Sequence, residues 1–143
     1  MGDTNKAGDF TPFVSVIVPA FNERATIRRC IETLLAQDYP ADQREIIIVD
    51  NNSTDGTDQI VADEYIRQQY PVTLLYERDV QTAAAARNRG IRHARGEIIA
   101  FTDADCAPQP DWLSQLVLPF RQPQVVGTVG EVLSVGSGGL LQD

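Results

Sequence analysis

The sequence is short of positive charge. Twelve lysines and arginines face twenty aspartates and glutamates, a net charge of −8 at pH 7. A nucleic-acid binder needs surplus cations to displace the counterions of a phosphate backbone, so that class is excluded. Any phosphorylated ligand must then be held by a metal or by a local basic cluster. Cysteine is scarce too. Cys30 and Cys106 have neither a disulfide framework around them nor the spacing of a zinc site, and they read as ordinary reduced thiols. No apolar run approaches the roughly 20 residues that span a bilayer. The segment 1–11 is polar and lacks the apolar stretch of a secretory signal. The expectation is a soluble, cytoplasmic chain without a membrane segment, membrane-peripheral only as part of a longer native protein. Internal repeats and low-complexity stretches are also missing. With 143 residues, 43% hydrophobic and 22% charged, the chain has the makings of one ordinary domain with a real core.

What is present is a regular alternation. Residues 14–18 are a β-branched run closed by Pro19, which predicts a buried strand. Ile27, Cys30, Ile31, Leu34 and Leu35 recur at helical spacing within 24–37, and that helix stops before Tyr39-Pro40. Strands are predicted at 45–50 and 72–76, with a dense turn cluster at 51–56 capping a helix over 57–69. A third helix over 82–95 is expected to end on Gly96 as a left-handed cap. A fourth strand then runs to Asp103. Asp111 opens a helix with Trp112, Leu113, Leu116, Val117 and Phe120 on one stripe, and 125–135 is a last extended segment. Strands alternating with helices of this length predict an α/β fold, a mostly parallel sheet with helices on both faces. The domain is expected over 13–135, between a flexible N-terminus at 1–12 and a flexible tail at 136–143.

Three of the four strands run out into polar clusters. These are Pro19-Ala20-Phe21-Asn22-Glu23, then Asp50 to Gly56, and Asp103-Ala104-Asp105. In an open parallel sheet the ligand sits beyond the carboxyl ends of the strands, so all three point to one rim. Asp103 and Asp105, at i and i+2 of an extended backbone, would face the same side. Two acids there repel each other unless a cation lies between them, and Mg²⁺ or Mn²⁺ suits oxygen ligands. The alternative is a strand running into a solvated acidic turn. Asp50 is placed to accept the imide N–H of a pyrimidine such as uracil, or else serves an Asx turn. Phe21 flanks a base or is a half-buried loop aromatic. In the third helix Ala86, Gly90 and Ala94 form a small-residue stripe suited to close sheet contact. Arg87, near the helix start, faces the same rim and is a partner for a diphosphate or sugar hydroxyls. Arg92, Arg95 and His93, the lone histidine, read as surface groups.

Taken in order, these blocks resemble the family 2 glycosyltransferases of the GT-A fold. The likeness rests on residues 16–23, 48–57, 86–90 and 96–105, and covers about 13–135. It implies a Rossmann-like nucleotide-diphospho-sugar fold, C-terminally truncated. The expected donor is a nucleotide-diphosphate sugar, usually UDP-linked, with Mg²⁺ or Mn²⁺ and an inverting transfer to an acceptor hydroxyl. By that resemblance Pro19, Ala20, Phe21, Glu23, Asp50, Asn52, Arg87, Asp103 and Ala104 contact the nucleotide sugar, while Asp103 and Asp105 surround the metal.

The family's general base lies well beyond the metal motif, so none is assigned here and it is expected past Asp143. The chain then reads as a donor-binding half, with the acceptor unknown. The competing reading is a non-catalytic nucleotide-binding fragment. A homodimer that covers the last strand's open edge is a further expectation. A nucleotidyltransferase would need a glycine- and lysine-rich loop after the first strand, which 19–23 is not.

Overall fold

The structure, a computed structural model, describes residues 10–128 together with two short strands near the C-terminus. The predicted alternation is realised as β1 (Val14–Ala20), α1 (Ile27–Leu35), β2 (Arg44–Asp50), α2 (Thr57–Val61), β3 (Val72–Tyr76), α3 (Ala83–His93), β4 (Ile98–Phe101) and α4 (Trp112–Val117). β1 to β4 make one parallel sheet in the order β3-β2-β1-β4. The short strands, β5 (Val132–Leu133) and β6 (Leu141–Gln142), pair antiparallel. The expectations for 1–9, 129–131, 134–140 and 143 lie outside the described residues. Of the extended segment expected over 125–135, residues 125–128 carry no strand and Val132–Leu133 do. Among the described residues no helix is long and apolar enough to cross a membrane.

Side chains alternate across the sheet, and both faces are covered. Val14, Val16, Val18, Ile46 and Ile48 pack toward α1, α2 and α4, meeting Ile27, Ile31, Leu34, Val61, Trp112 and Leu113. Ile17, Ile47 and Val49 face the other way, against Ala86 of α3. That two-sided burial explains why the strands are continuous apolar runs rather than alternating ones. Each fully buried Ile or Leu here is worth about 1.5–3 kcal/mol relative to exposure. The small-residue stripe acts as expected. A Cβ on Gly90 would lie 2.7 Å from Ile17 Cγ2, so only glycine lets α3 approach this closely.

Several boundaries differ from the sequence reading. α1 starts at Ile27, and the helix opened after Asp111 ends at Val117, with Phe120 in a 3-10 turn that follows. α1 ends at Leu35 because the half-buried Arg44 guanidinium donates to the carbonyls of Leu34, Leu35 and Tyr39. The helix expected over 57–69 is α2 followed by one π-helical turn, Ala62–Ile66, closed by wide bonds such as Tyr70 N–H to the Tyr65 carbonyl. Apolar spacing does not distinguish that turn from a continued α-helix. β4 stops at Phe101, two residues short of Asp103. Gly96 is not a left-handed cap: α3 ends at His93, Ala94 is already extended, and Gly56 is the glycine with positive φ among the described residues.

Gly96 is needed for a different reason. A Cβ there would sit 2.5 Å from the Ser15 backbone nitrogen and 2.7 Å from the Ile98 carbonyl oxygen. Its N–H donates to Ser15 Oγ at 2.8 Å, and Ser15 Oγ donates to Glu45 Oε2 at 2.6 Å. Arg95, read from sequence as a solvated charge, stays largely exposed yet supplies Glu45 with a backbone N–H at 2.8 Å and a guanidinium. Burial pushes the Glu45 carboxyl up, but these donors outweigh it and hold it below the usual carboxylate range.

Two outcomes follow for urea unfolding. Gly96→Ala lowers stability by about 1–3 kcal/mol, since the obstacle is backbone. Glu45's contribution is complete above its unfolded-state pKa and is lost as pH falls through its depressed folded value. The urea midpoint of the wild type should therefore drop in that acid window, and Glu45→Gln should flatten the drop.

Candidate functional site

Parallel strands deliver their carboxyl ends to one rim, and there the loops after β1 and β2 are stitched together. Asn22 N–H donates to Ser53 Oγ at 2.9 Å, and Thr54 N–H returns to Asn22 Oδ1 at 2.8 Å. Glu23 N–H reaches Thr57 Oγ1 at 2.9 Å, and Arg24 N–H reaches Asp55 Oδ2 at 3.2 Å. Asn22 and Asn52 both hold positive φ, 51° and 70°, a conformation that asparagine tolerates better than most residues. The sequence reading passed over Asn22, although an asparagine inside a turn cluster is the signal for such a bend.

Asp50 is 2% exposed, and its two oxygens are used differently. Oδ2 accepts the Ser53 N–H at 3.0 Å, as in the turn reading. Oδ1 is buried with no partner, which is the state a ligand donor would relieve. Asn51 was also missed. Its N–H extends the sheet to the Ala20 carbonyl, and its Nδ2 donates to the carbonyls of Glu77 and Val80 at 2.9 and 3.0 Å. That amide pins the loop leading into α3.

Asp103 and Asp105 do not meet through extended spacing, as the strand reading supposed. They lie past β4 in a turn closed by Cys106 N–H to the Asp103 carbonyl at 3.0 Å. Both carboxylates are exposed, while Ala104 between them is buried and anchors the turn. Oxygens of Asp103 and Asp105 and the Cys106 sulfur all lie within 4.8 Å of one another. Glu23 approaches from the first loop. Partial burial chiefly raises its pKa; the Thr26 hydroxyl works against this, and repulsion from Asp105, Asp103 and Asp55 adds to it. Such surplus negative charge fits a divalent cation.

A cavity of about 320 Å³ opens between these loops. Pro19, Ala20, Phe21 and Glu23 form one wall, Asp103, Ala104 and Asp105 another, with Asn51 and Ala83 closing it. Phe21 is 44% exposed at its mouth. Asp50 and Asn52 do not line this space. Arg87 lies instead on a larger cavity of about 700 Å³ between β4 and α4, whose polar end is Arg87, Thr102 and Asp103. Asp103 borders both cavities. Thr102 Oγ1 is likewise buried without a partner.

Comparison with known proteins gives a consistent set of relatives. The sequence profile of glycosyl transferase family 2 matches residues 15–142. Glycosyltransferase AglE of Haloferax volcanii is 41% identical over 104 residues, 73% of this chain and 34% of that protein. The putative glycosyltransferase EpsH of Bacillus subtilis is 39% identical, over 75% of this chain and 30% of its own length. The mannosyltransferase PcManGT from Pyrobaculum calidifontis, solved in complex with GDP-Man and Mn²⁺, superposes with a TM-score of 0.77. It is 37% identical, over 82% of this chain and 35% of its own. S. aureus TarS 1-349 in complex with UDP-GlcNAc gives a TM-score of 0.63 at 30% identity, over 72% and 29%. The chain thus spans about a third of these relatives.

The stitching between loops is testable on its own. Thr57→Val keeps the shape of a fully buried side chain but strands the Glu23 N–H. It should cost about 1–3 kcal/mol in urea unfolding, and amide exchange at Glu23 should quicken.

Proposed function

The chain belongs to glycosyl transferase family 2, and from that membership we propose that it forms the donor side of a metal-dependent, inverting glycosyl transfer. The observation that carries this reading is the convergence of Glu23, Asp103 and Asp105 on one cavity, beside a buried carboxylate oxygen left unpartnered on Asp50. The donor is a nucleoside-diphosphate sugar. Asp50 Oδ1 accepts a ring N–H, which uracil and guanine carry and cytosine and adenine lack. UDP is the first choice and GDP the second. Phe21 offers an exposed ring face to the base. Arg87, on the far side of Asp103, is placed to pair with the diphosphate or a sugar hydroxyl.

Asp105 and Asp103 would hold Mg²⁺ or Mn²⁺, hard cations that take oxygen ligands. When bound, such an ion stabilises charge on the departing diphosphate. The protein's own part is to hold the donor, to exclude water from the Asp50 oxygen and to leave the far face of the sugar open. The acceptor's proton needs a base, and we place it in the two thirds of the relatives that this chain does not cover. That coverage also favours a second reading, a nucleotide-binding fragment without turnover.

Calorimetric titration of UDP, GDP and CDP, with and without Mn²⁺, separates these possibilities. Tight binding of UDP or GDP should need the metal, and Asp105→Ala should weaken it at least about tenfold. Asp50→Asn should lose about 1–3 kcal/mol for the preferred nucleotide and narrow its margin over CDP. Metal-independent binding, or none, would overturn the donor-site reading. Release of sugar from a nucleotide-sugar donor to an acceptor would dismiss the fragment reading.

A further inference from the structure

The turn that carries Asp103 and Asp105 is anchored by the burial of Ala104, Cys106 and Pro108. The segment 102–111 contains no helix or strand, and Pro108 and Pro110 have no N–H to offer. Thr102 N–H donates to the Ile17 carbonyl at the end of β4. Beyond it, α1 and the residues that follow that helix add hydrogen bonds of their own. Cys30 Sγ lies 3.6 Å from the Asp103 carbonyl oxygen. Gln37, two residues past the end of α1, is 5% exposed. Its Nε2 donates to the Gln109 carbonyl at 2.7 Å and to the Thr33 carbonyl at 3.2 Å. Its Oε1 accepts the Leu113 N–H at 2.9 Å. Asp38 adds its own N–H to the Pro110 carbonyl and accepts from Ser114 Oγ. α1 and the residues after it therefore hold the segment 103–113 at both ends.

We propose that Gln37 is a positioning residue for the cation-binding turn, holding 109–113 so that Asp103 and Asp105 stay at the cavity they share with Glu23. The carboxamide donates to Gln109 and accepts from Leu113 at once, which an ionised carboxylate cannot do. A glutamate keeps the acceptor alone, and a methionine keeps neither. The proposal rests on the reading of Asp103 and Asp105 as cation ligands.

The test measures Mn²⁺ affinity by electron paramagnetic resonance at saturating UDP or GDP, together with amide exchange at Cys106, whose N–H closes the turn. Gln37→Met should weaken Mn²⁺ binding about tenfold, as loss of a group buttressing a ligand does, and should speed Cys106 exchange. Gln37→Glu should fall between, and it carries the test if Gln37→Met does not fold. Tyr39→Phe, which removes a buried hydroxyl bond to the Pro12 carbonyl, should lower stability without moving either readout. Unchanged Mn²⁺ affinity in the Gln37 variants, or an equal loss in Tyr39→Phe, would overturn the proposal. If the wild type binds no Mn²⁺ with either nucleotide, the cation reading fails by itself. Cys106 exchange then decides whether Gln37 holds the turn: faster exchange supports it, and unchanged exchange refutes it.

Discussion

Parallel pairing of β1 with β2 on one side and β4 on the other is the constraint on which everything else depends. Parallel neighbours all end at the same edge, so register alone sets Ala20 beside Asp50 and Asp50 beside Tyr76. The ladder continues past the strands, with Asn51 N–H on the Ala20 carbonyl and Glu77 N–H on the Asp50 carbonyl. Helices on both faces bury the strands and leave the carboxyl rim open to a ligand. Polar residues that are dispersed in sequence thus arrive at one rim, where Glu23, Asp103 and Asp105 face one cavity, with no loop having to reach far.

Two buried carboxylates show how the ends of the sheet differ. Glu45, at the amino end of β2, is saturated by Ser15, the Arg95 backbone and the Arg95 guanidinium. Asp50, at the carboxyl end of the same strand, keeps one oxygen without a partner. Leaving such an oxygen unmet costs about 1–3 kcal/mol. A fold built only for stability would have supplied a donor, as it did for Glu45. The same contrast holds for charge. Glu23 is pushed up by its own burial and by the neighbouring Asp105 and Asp103, in a chain that already carries −8. Binding sites concentrate this kind of unresolved electrostatics.

Much of the architecture was legible from residue patterns. The runs at 14–18, 45–50 and 72–76 became strands because β-branched apolar residues fit a sheet covered on both faces. The Ala86–Gly90–Ala94 stripe became the close contact of α3 with Ile17 because small residues have few other uses there. Boundaries were less legible. Arg44 ends α1 from nine or ten residues away, and apolar spacing could not register the π-helical turn after α2. The acid pair was recognised by composition, but its geometry was misjudged. A turn, rather than extended backbone, brings Asp103 and Asp105 together. Asn51 and Gln37 were invisible for a plainer reason. Their partners lie 26 and 29 residues away for Asn51, and 72 and 76 for Gln37.

By itself the sequence determined the order of strands and helices, the ordered polar blocks, and with them the family. Those properties rest on periodicity and short motifs, which neighbouring residues settle among themselves. Tertiary structure decided which carboxylate is satisfied and which is left open. It also decided that Gly96 serves a close approach rather than a cap, and that Arg87 and Asp50 lie outside the cavity lined by the acid pair. Hydrogen-bond satisfaction and steric clearance depend on atoms brought together from distant parts of the chain, and no local pattern encodes where those atoms arrive.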